Sequence, residues 1–508
     1  MKNKLLENLI KYPILFYIFY FIYTIRPPFK LMISSADRYE SLFHYILILW
    51  GVVIIGYNLI NRRDVFSRKN IGFIVAWIIV SILTIISNIS DITTTSIKSI
   101  ILTILSIMFF IIGYPLLKEK YSKLQIFKYI FYPVLGVKIL INIISIYLYV
   151  FNISIFVIRE NLLDFLGVRY VGLANGRYTL LLYGLYKDPN FTAMIGASLI
   201  LIAIYIYTKG KRTLSYFEKI FIAVSVVLEF IIVSFSNSRG TIYSMLTIVA
   251  LVWVCIMLNK YRQNDLFTFN TVKRLLIILF STVLVYITYT GIQKGGFLIS
   301  QNNKNTKYIY AEENKVFVKL NISDLDKEEF SEHKSWVLEY LDEDEDGDKA
   351  ENKEEKISVS KNDSGEEVGN GRIAIWKDTI KLFSHKPIFG IAPEMQKVIS
   401  NEKYSYLDIP SMKEGRSIHN SYLAVLLYYG VLGALVITVV FFKRLKPLFI
   451  REIKYGYVEE SILFYAILFS LTASFFLESI LVNIDFQQIY LMFLLGVVST
   501  ESEKKGGY

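Results

Sequence analysis

The sequence predicts an all-α polytopic membrane protein with about 12 transmembrane helices and one large extracytoplasmic loop between helices 9 and 10. Three observations carry that prediction. The 508-residue chain is 54% hydrophobic with mean hydropathy +0.44, and only 19% of its residues are charged. Its apolar residues fall in runs close to the roughly 20 residues needed to cross ~30 Å of hydrocarbon. Its basic residues gather in alternate connections between those runs, as a chain threading back and forth across a bilayer requires.

The runs lie near 12–26, 41–60, 71–88, 97–117, 125–150, 189–208, 218–236, 240–258, 274–292, 418–442, 457–479 and 485–499. Helices are expected because an isolated strand in lipid leaves its backbone groups unpaired. The runs at 12–26 and 485–499 are short. Lysines precede the first run and Arg26-Pro27-Pro28 follows it, with no small-residue cleavage pattern. It therefore reads as a retained span rather than a signal peptide. One alternate set of connections holds Lys2, Lys4 and Lys11, Arg62-Arg63 with Arg68-Lys69, Lys118/Lys120/Lys123, Lys209/Lys211/Arg212, Lys260/Arg262/Lys273/Arg274 and Lys443-Arg444-Lys446, and Lys504-Lys505 end the chain. The positive-inside rule makes this set, and both termini, cytoplasmic. The other set is lysine-poor, and the 89–96 turn carries none.

Residues 1–292 are thus expected to hold helices 1–9, and residues 418–508 helices 10–12 and a cytoplasmic tail. Between them, residues 293–417 carry 19 Lys+Arg against 25 Asp+Glu, and the rest of the chain 36 against 19. Topology signals facing an anionic leaflet explain that basic excess without nucleic acid. The lone cysteine, Cys255, excludes a disulfide within the chain and a Cys-rich metal site, and reads as a buried core thiol.

The long loop divides in two. Residues 300–369 are polar and read as a flexible insert that cannot bury a core. Inside it, Asp342-Glu343-Asp344-Glu345-Asp346-Gly347-Asp348 has the alternating carboxylates and the sixth-position glycine of a calcium loop. Lys353 stands where the bidentate Glu belongs, so a solvated acidic run is the competing reading. Residues 370–417 form an amphipathic helix and a candidate active-site segment. Asn370 suits a helix cap, Ile373, Trp376, Ile380 and Phe383 recur at helical spacing, and Pro387 ends the helix. Such a helix fits the membrane interface with Trp376 at headgroup level, and Arg372 in its first turn suits an anion.

Two further external segments bear on function. Residues 151–188 form a moderate loop with Arg159, Arg169, Arg177 and Lys187, ending in Lys187-Asp188-Pro189-Asn190. The tight turn Ser236-Asn237-Ser238-Arg239-Gly240 puts Arg239 between two apolar runs near membrane depth. An arginine near the bilayer centre costs ~2.5–3.5 kcal/mol on insertion scales, so it faces a cavity or an anion, or else snorkels to the interface.

Taken together, Asp188-Pro189-Asn190, Ser238-Arg239-Gly240, Arg372 with Trp376, Pro387 and Gly390, and His419-Asn420 followed by Gly430 and Gly433 resemble the O-antigen ligase and polysaccharide polymerase superfamily. The resemblance covers roughly residues 185–440. It implies an integral-membrane glycosyltransferase of the bacterial cytoplasmic membrane, acting on its outer side on undecaprenyl-diphosphate-linked glycans. No cofactor and no nucleotide sugar are implied. The implied partners are the lipid-linked donor and acceptor and the bilayer, and beyond them a chain-length regulator and a flippase.

Transfer from a lipid diphosphate expels a group of concentrated negative charge, and arginine supplies planar, bidentate, permanently charged donors. Arg239 and Arg372 are the leading diphosphate ligands, with Arg177 and Arg416 in reserve. His419, with an unperturbed pKa near ~6.5, stands where the loop re-enters the membrane. It is a candidate to take the acceptor proton, orient the acceptor or bind phosphate. A structural interfacial histidine is the bland alternative. Asn420, Asn190 and Trp376 are expected to support the site, and His333 and His385 read as surface residues. The first external connection offers Asp37 and Glu40 around Arg38 rather than a tight Asp-Xaa-Asp, so the reading is metal-independent. The favoured expectation is a repeat-unit polymerase. The alternatives are a ligase acting on lipid A core or a cell-wall acceptor, and a glycan flippase.

Overall fold

A computed structural model describes residues 12–25, 36–61, 68–159, 162–172, 178–186, 188–263, 268–302, 307–312, 315–319, 370–456, 460–477 and 485–504. Arg177, Lys187, His333 and the 342–348 acidic run lie outside them, and the side chains of Asp37, Arg38 and Glu40 are not among those described.

The helices are α1 Pro13–Thr24, α2 Ala36–Asn61, α3 Arg68–Ser87, α4 Thr94–Lys118, α5 Lys123–Val150, α6 Pro189–Gly210, α7 Tyr216–Ser236, α8 Arg239–Arg262 and α9 Phe269–Asn302. After the long loop come α10 Asn370–Phe383, α11 Gln396–Glu402, α12 Pro410–Lys413, α13 Ser421–Tyr455, α14 Ser461–Ala473 and α15 Phe486–Lys504. Among the described residues nine helices are long and apolar enough to cross a membrane. Three shorter apolar ones, Pro13–Thr24, Ser461–Ala473 and Phe486–Val498, occupy the first, eleventh and twelfth predicted runs.

Local chemistry explains five of the helix starts. Ser122 and Ser215 build capping boxes with Gln125 and Glu218. Asp188, Ser238 and Asn420 cap α6, α8 and α13 through their side-chain oxygens. The short α15 is buried on all sides from Ile489 to Val498 and forms the middle of the bundle. Its Gln487 Oε1 accepts from Ser198 of α6 at 3.1 Å and its Gln488 Oε1 from Ser106 of α4 at 3.2 Å. The outer helix α9, by contrast, leaves Leu276, Ile277, Phe280 and Leu284 exposed. On a membrane protein that apolar surface faces hydrocarbon.

The helical membrane class stands, with one addition. Residues expected as loop form a five-stranded sheet from β1 Ile153–Arg159, β2 Leu162–Gly172, β3 Tyr178–Gly184, β4 Lys307–Glu312 and β5 Lys315–Lys319, in the order β3-β2-β1-β4-β5. β1 pairs parallel to β4, and every other pair is antiparallel. β-Branched residues recur in Ile153-Ser-Ile-Phe-Val-Ile and in Val316-Phe-Val, which suits strands. The pairing also takes β4 and β5 out of the stretch read as a structureless insert. Val168 and Leu182 pack on Tyr149, Ile232, Phe235 and Phe297, seating the sheet on α5, α7 and α9. The ninth helix reaches Asn302, beyond the expected loop start at 293, because Gly296 lets it close on Phe235 and Tyr149.

Candidate functional site

The site assembles at the starts of four helices. At α6, the Asp188 Oδ1 accepts from the Asn190 backbone N–H at 2.7 Å and from Asn190 Nδ2 at 3.1 Å. The Asn190 Oδ1 in turn accepts from Ser238 Oγ at 2.9 Å. Ser238 caps α8, and the preceding Asn237 turns the chain in the left-handed region at φ 49°. One side chain, Asn190, thereby ties the residue before Arg239 to the residue that opens α6.

Arg372 approaches from α10. Burial pulls its pKa below the ordinary guanidinium value, the Asp188 carboxylate pushes it back up, and the like charge of Arg239 lowers it again. The half-buried Arg372, Arg239 and Asp188 thus lie within electrostatic reach of one another. Two guanidinium groups around one carboxylate leave a net positive site, and an arginine keeps its charge in such surroundings.

The fourth start is α13. Trp376 of α10 donates its indole N–H to the Ile418 carbonyl at 3.0 Å. His419 follows in the left-handed region at φ 51°, a conformation that costs a non-glycine residue. Asn420 then caps α13, accepting from the Tyr422 and Leu423 N–H groups at 3.0 and 3.1 Å. Its oxygen therefore serves the helix, and its support for His419 acts through the backbone. Ser421 donates to the Leu477 carbonyl and its N–H to the Ser474 carbonyl at 2.8 Å. Phe476 lies against Gly240 and Tyr243. The 474–477 turn so links the His419 end of α13 to the Arg239 end of α8.

The Pro-Xaa-Xaa-Gly motif acquires a purpose here. Helix α13 breaks at Gly430, with φ 66° and ψ −168°. The Pro387–Gly390 turn docks into the break: Ile391 and Ala392 donate to the Leu427 and Tyr428 carbonyls, and Val431 donates to the Pro387 carbonyl at 2.8 Å. A Cβ on Gly390 would meet the Tyr428 backbone, and one on Gly430 the Ile388 carbonyl. Only glycine permits that approach.

The packed face of α10 is Ile375, Asp378, Thr379 and Leu382, with Asp378 accepting from the Ser411 N–H at 3.0 Å, whereas Ile373 and Ile380 are exposed. The open Ile373 and Ile380 suit a helix whose apolar stripe meets the membrane interface. Arg416 is 57% exposed and engaged with Glu414, drawn outward by its own near neighbour.

Sequence reasoning also missed three groups. Asp188 enters the sequence argument only within its motif, whereas in the fold its carboxylate acts on Arg372. Lys138 of α5 and Glu229 of α7 form an ion pair at 3.5 Å, each side chain about 1% exposed, and Lys138 also donates to the Tyr186 hydroxyl at 3.1 Å. A charged residue inside each of two apolar runs was the available signal. Among the described residues no three of His, Cys, Asp and Glu converge as a metal site.

Fold and site together define a class: a multi-pass membrane protein that gathers arginine charge at the ends of its helices. Within that class, part of the chain resembles a known family. A family model described as O-antigen ligase matches residues 222–438, which include Arg239, Arg372, Trp376, His419, Asn420, Gly430 and Gly433. The match, over less than half of the chain, supports the resemblance to the O-antigen ligase and polymerase superfamily. Asp188 and Asn190 lie before the matched stretch. No curated protein matches the chain.

Proposed function

We propose that the chain is a polysaccharide repeat-unit polymerase working on the outer side of the cytoplasmic membrane. A glycan linked to undecaprenyl diphosphate is the donor, and a hydroxyl of another lipid-linked repeat is the acceptor. The observation that carries this reading is the approach of Arg372 to Arg239 beside Asp188, from helices far apart in sequence.

The chemistry follows from that charge. The acceptor oxygen attacks the anomeric carbon of the donor as the bond from that carbon to the diphosphate oxygen breaks. The electron pair leaves with the diphosphate, whose developing charge the two guanidinium groups stabilise. Asp188 lies within electrostatic reach of Arg372 and bonds Asn190, which anchors the turn before Arg239. The acceptor hydroxyl loses its proton to His419, which is half-buried and fixed from both sides by Trp376 and the Asn420 cap. Arg177 stays a reserve ligand on its sequence position, and Arg416 ranks behind it because Glu414 already holds it.

A second reading, transfer of finished glycan to lipid A core or a cell-wall acceptor, uses the same residues, and the description of the matched family favours it. One experiment separates the two. Purified protein is given a single lipid-linked repeat, and products are resolved by size. A ladder supports the polymerase, and a single adduct on an added foreign acceptor supports the ligase. Unchanged substrate with demonstrably folded protein overturns both.

A further inference from the structure

Beyond the arginine site, the far end of α10 carries three aromatic rings that the transfer chemistry does not use. His385, Tyr404 and Tyr406 form a cluster with centroid separations of 4.9 Å (His385 to Tyr404), 6.4 Å (His385 to Tyr406) and 6.2 Å (Tyr404 to Tyr406). Tyr406 is 72% exposed. A ring so exposed gains little from folding, so burial within the protein does not explain the grouping.

The loop that presents the rings is pegged on three sides. Lys381 donates to the Asp408 carbonyl at 3.1 Å, Lys413 to the Ser405 carbonyl at 2.8 Å, and Lys403 to Asp91 at 2.7 Å. The last contact fastens the loop to the turn between α3 and α4. Lys386 joins it from the other side, donating to Asn88 Oδ1 at 2.6 Å. Three lysines holding one short segment make a preorganised surface rather than a wandering tip. The histidine is oriented too. Its Nδ1 lies 3.0 Å from the Lys381 carbonyl, which only accepts, so Nδ1 carries the proton. In the neutral ring Nε2 is then an acceptor.

We infer that His385, Tyr404 and Tyr406 form a glycan-binding platform, holding the saccharide some sugar rings away from the bond being made. The inference rests on the transfer reading above and adds a subsite to it. Sugars offer an apolar C–H face and an equatorial fringe of hydroxyls. The open face of Tyr406 fits the first. His385 Nε2 and the ammonium of Lys403 fit the second. The location fits as well. Helix α10 has 14 residues, with Arg372 in its first turn and His385 just past its end, so the platform stands about 20 Å from the arginine site. That spacing suits a chain of several rings, not the sugar undergoing reaction.

The test uses the full-length protein in nanodiscs and a lipid-free oligosaccharide cut from the host's own polymer. Tyr406→Ala is the principal variant because the ring is exposed and its loss spares the fold. Binding should weaken about tenfold, and Tyr406→Phe should bind like the parent. With a lipid-linked substrate the Ala variant should make a shorter ladder, while Arg372→Ala makes none yet still binds the free oligosaccharide. Unchanged oligosaccharide affinity in Tyr406→Ala overturns the platform and leaves the transferase reading standing. A parent protein that binds the oligosaccharide but forms no linkage does the reverse. If Tyr406→Trp fluorescence is quenched by brominated lipid and not by oligosaccharide, the rings are a bilayer anchor and the platform falls.

Discussion

Replacing Lys138 by methionine tests how the membrane interior of this protein is held. Lys138 and Glu229 stand 3.5 Å apart, both about 1% exposed, on neighbouring helices α5 and α7. At an effective dielectric of about 20 the attraction at that distance is about 5 kcal/mol. Desolvation offsets much of it, so the pair adds little net stability compared with an apolar pair of the same shape. Removing one partner is different, because it strands the other charge in a site without water. Lys138→Met and Glu229→Gln should therefore each cost about 3–5 kcal/mol. The double variant should recover most of that loss. Reversible unfolding in mixed detergent micelles across the four proteins gives the coupling energy directly. A coupling under about 1 kcal/mol would show that the two groups do not depend on each other, and the reasoning would fail. Gly196 of α6 sharpens the test: an added Cβ there would sit 2.9 Å from Glu229 Oε2 and 3.0 Å from Val233. Gly196→Ala should disturb the same site without removing a charge.

Gly430→Ala forces a methyl against the Ile388 carbonyl at a φ that alanine resists, and should cost at least ~1–3 kcal/mol. The check is faster protease cleavage near residues 385–395; parent-like resistance would refute the docking argument. Arg372→Ala should lower turnover at least ~100-fold by removing charge from the departing diphosphate, and Arg416→Ala should change it only a few-fold. Equal losses in a gel-resolved polymer assay would contradict the ranking of the two arginines. The Asp91–Lys403 contact predicts a pH response. The hydrogen bond from Lys403 holds the Asp91 pKa below the ordinary carboxylate value, and the same bond raises that of Lys403. The Asp91 contribution is therefore present above the unfolded carboxylate pKa and lost as pH falls through the folded one. That of Lys403 is lost only as pH rises beyond the lysine range. Protection factors of residues 396–404 in hydrogen exchange, corrected for the intrinsic pH dependence of amide exchange, should thus fall in acid and stay flat through neutral pH. An onset near pH 7 would point to a different group.

The places of the helices were legible in the chain itself. Hydrocarbon thickness sets the length of an apolar run, and a cap needs only the few residues beside it. The runs and the cap-forming Asp188 and Asn420 are therefore visible without coordinates. The glycines of the Pro387–Gly390 motif and of α13 could be seen as well, though not what they were for. Strands were harder to see, because β1 finds its parallel partner β4 about 150 residues later and no local pattern announces that pairing. The same limit applies to helix faces. In α10 the neighbours Ser411 and Met412 take up the face of Asp378 and Thr379, which no hydropathy pattern marks.

What the sequence determined by itself is a membrane-embedded helical chain with Arg239 and His419 at the ends of its predicted spans. The tertiary structure alone decided that Arg372 comes within electrostatic reach of Arg239 and Asp188, that Lys138 finds Glu229, and that the short α15 lies at the centre rather than the rim. The physical reason is range. Propensity, capping and hydropathy act within a few residues, whereas charge pairing and close packing act between segments whose separation along the chain carries no record of their distance in space.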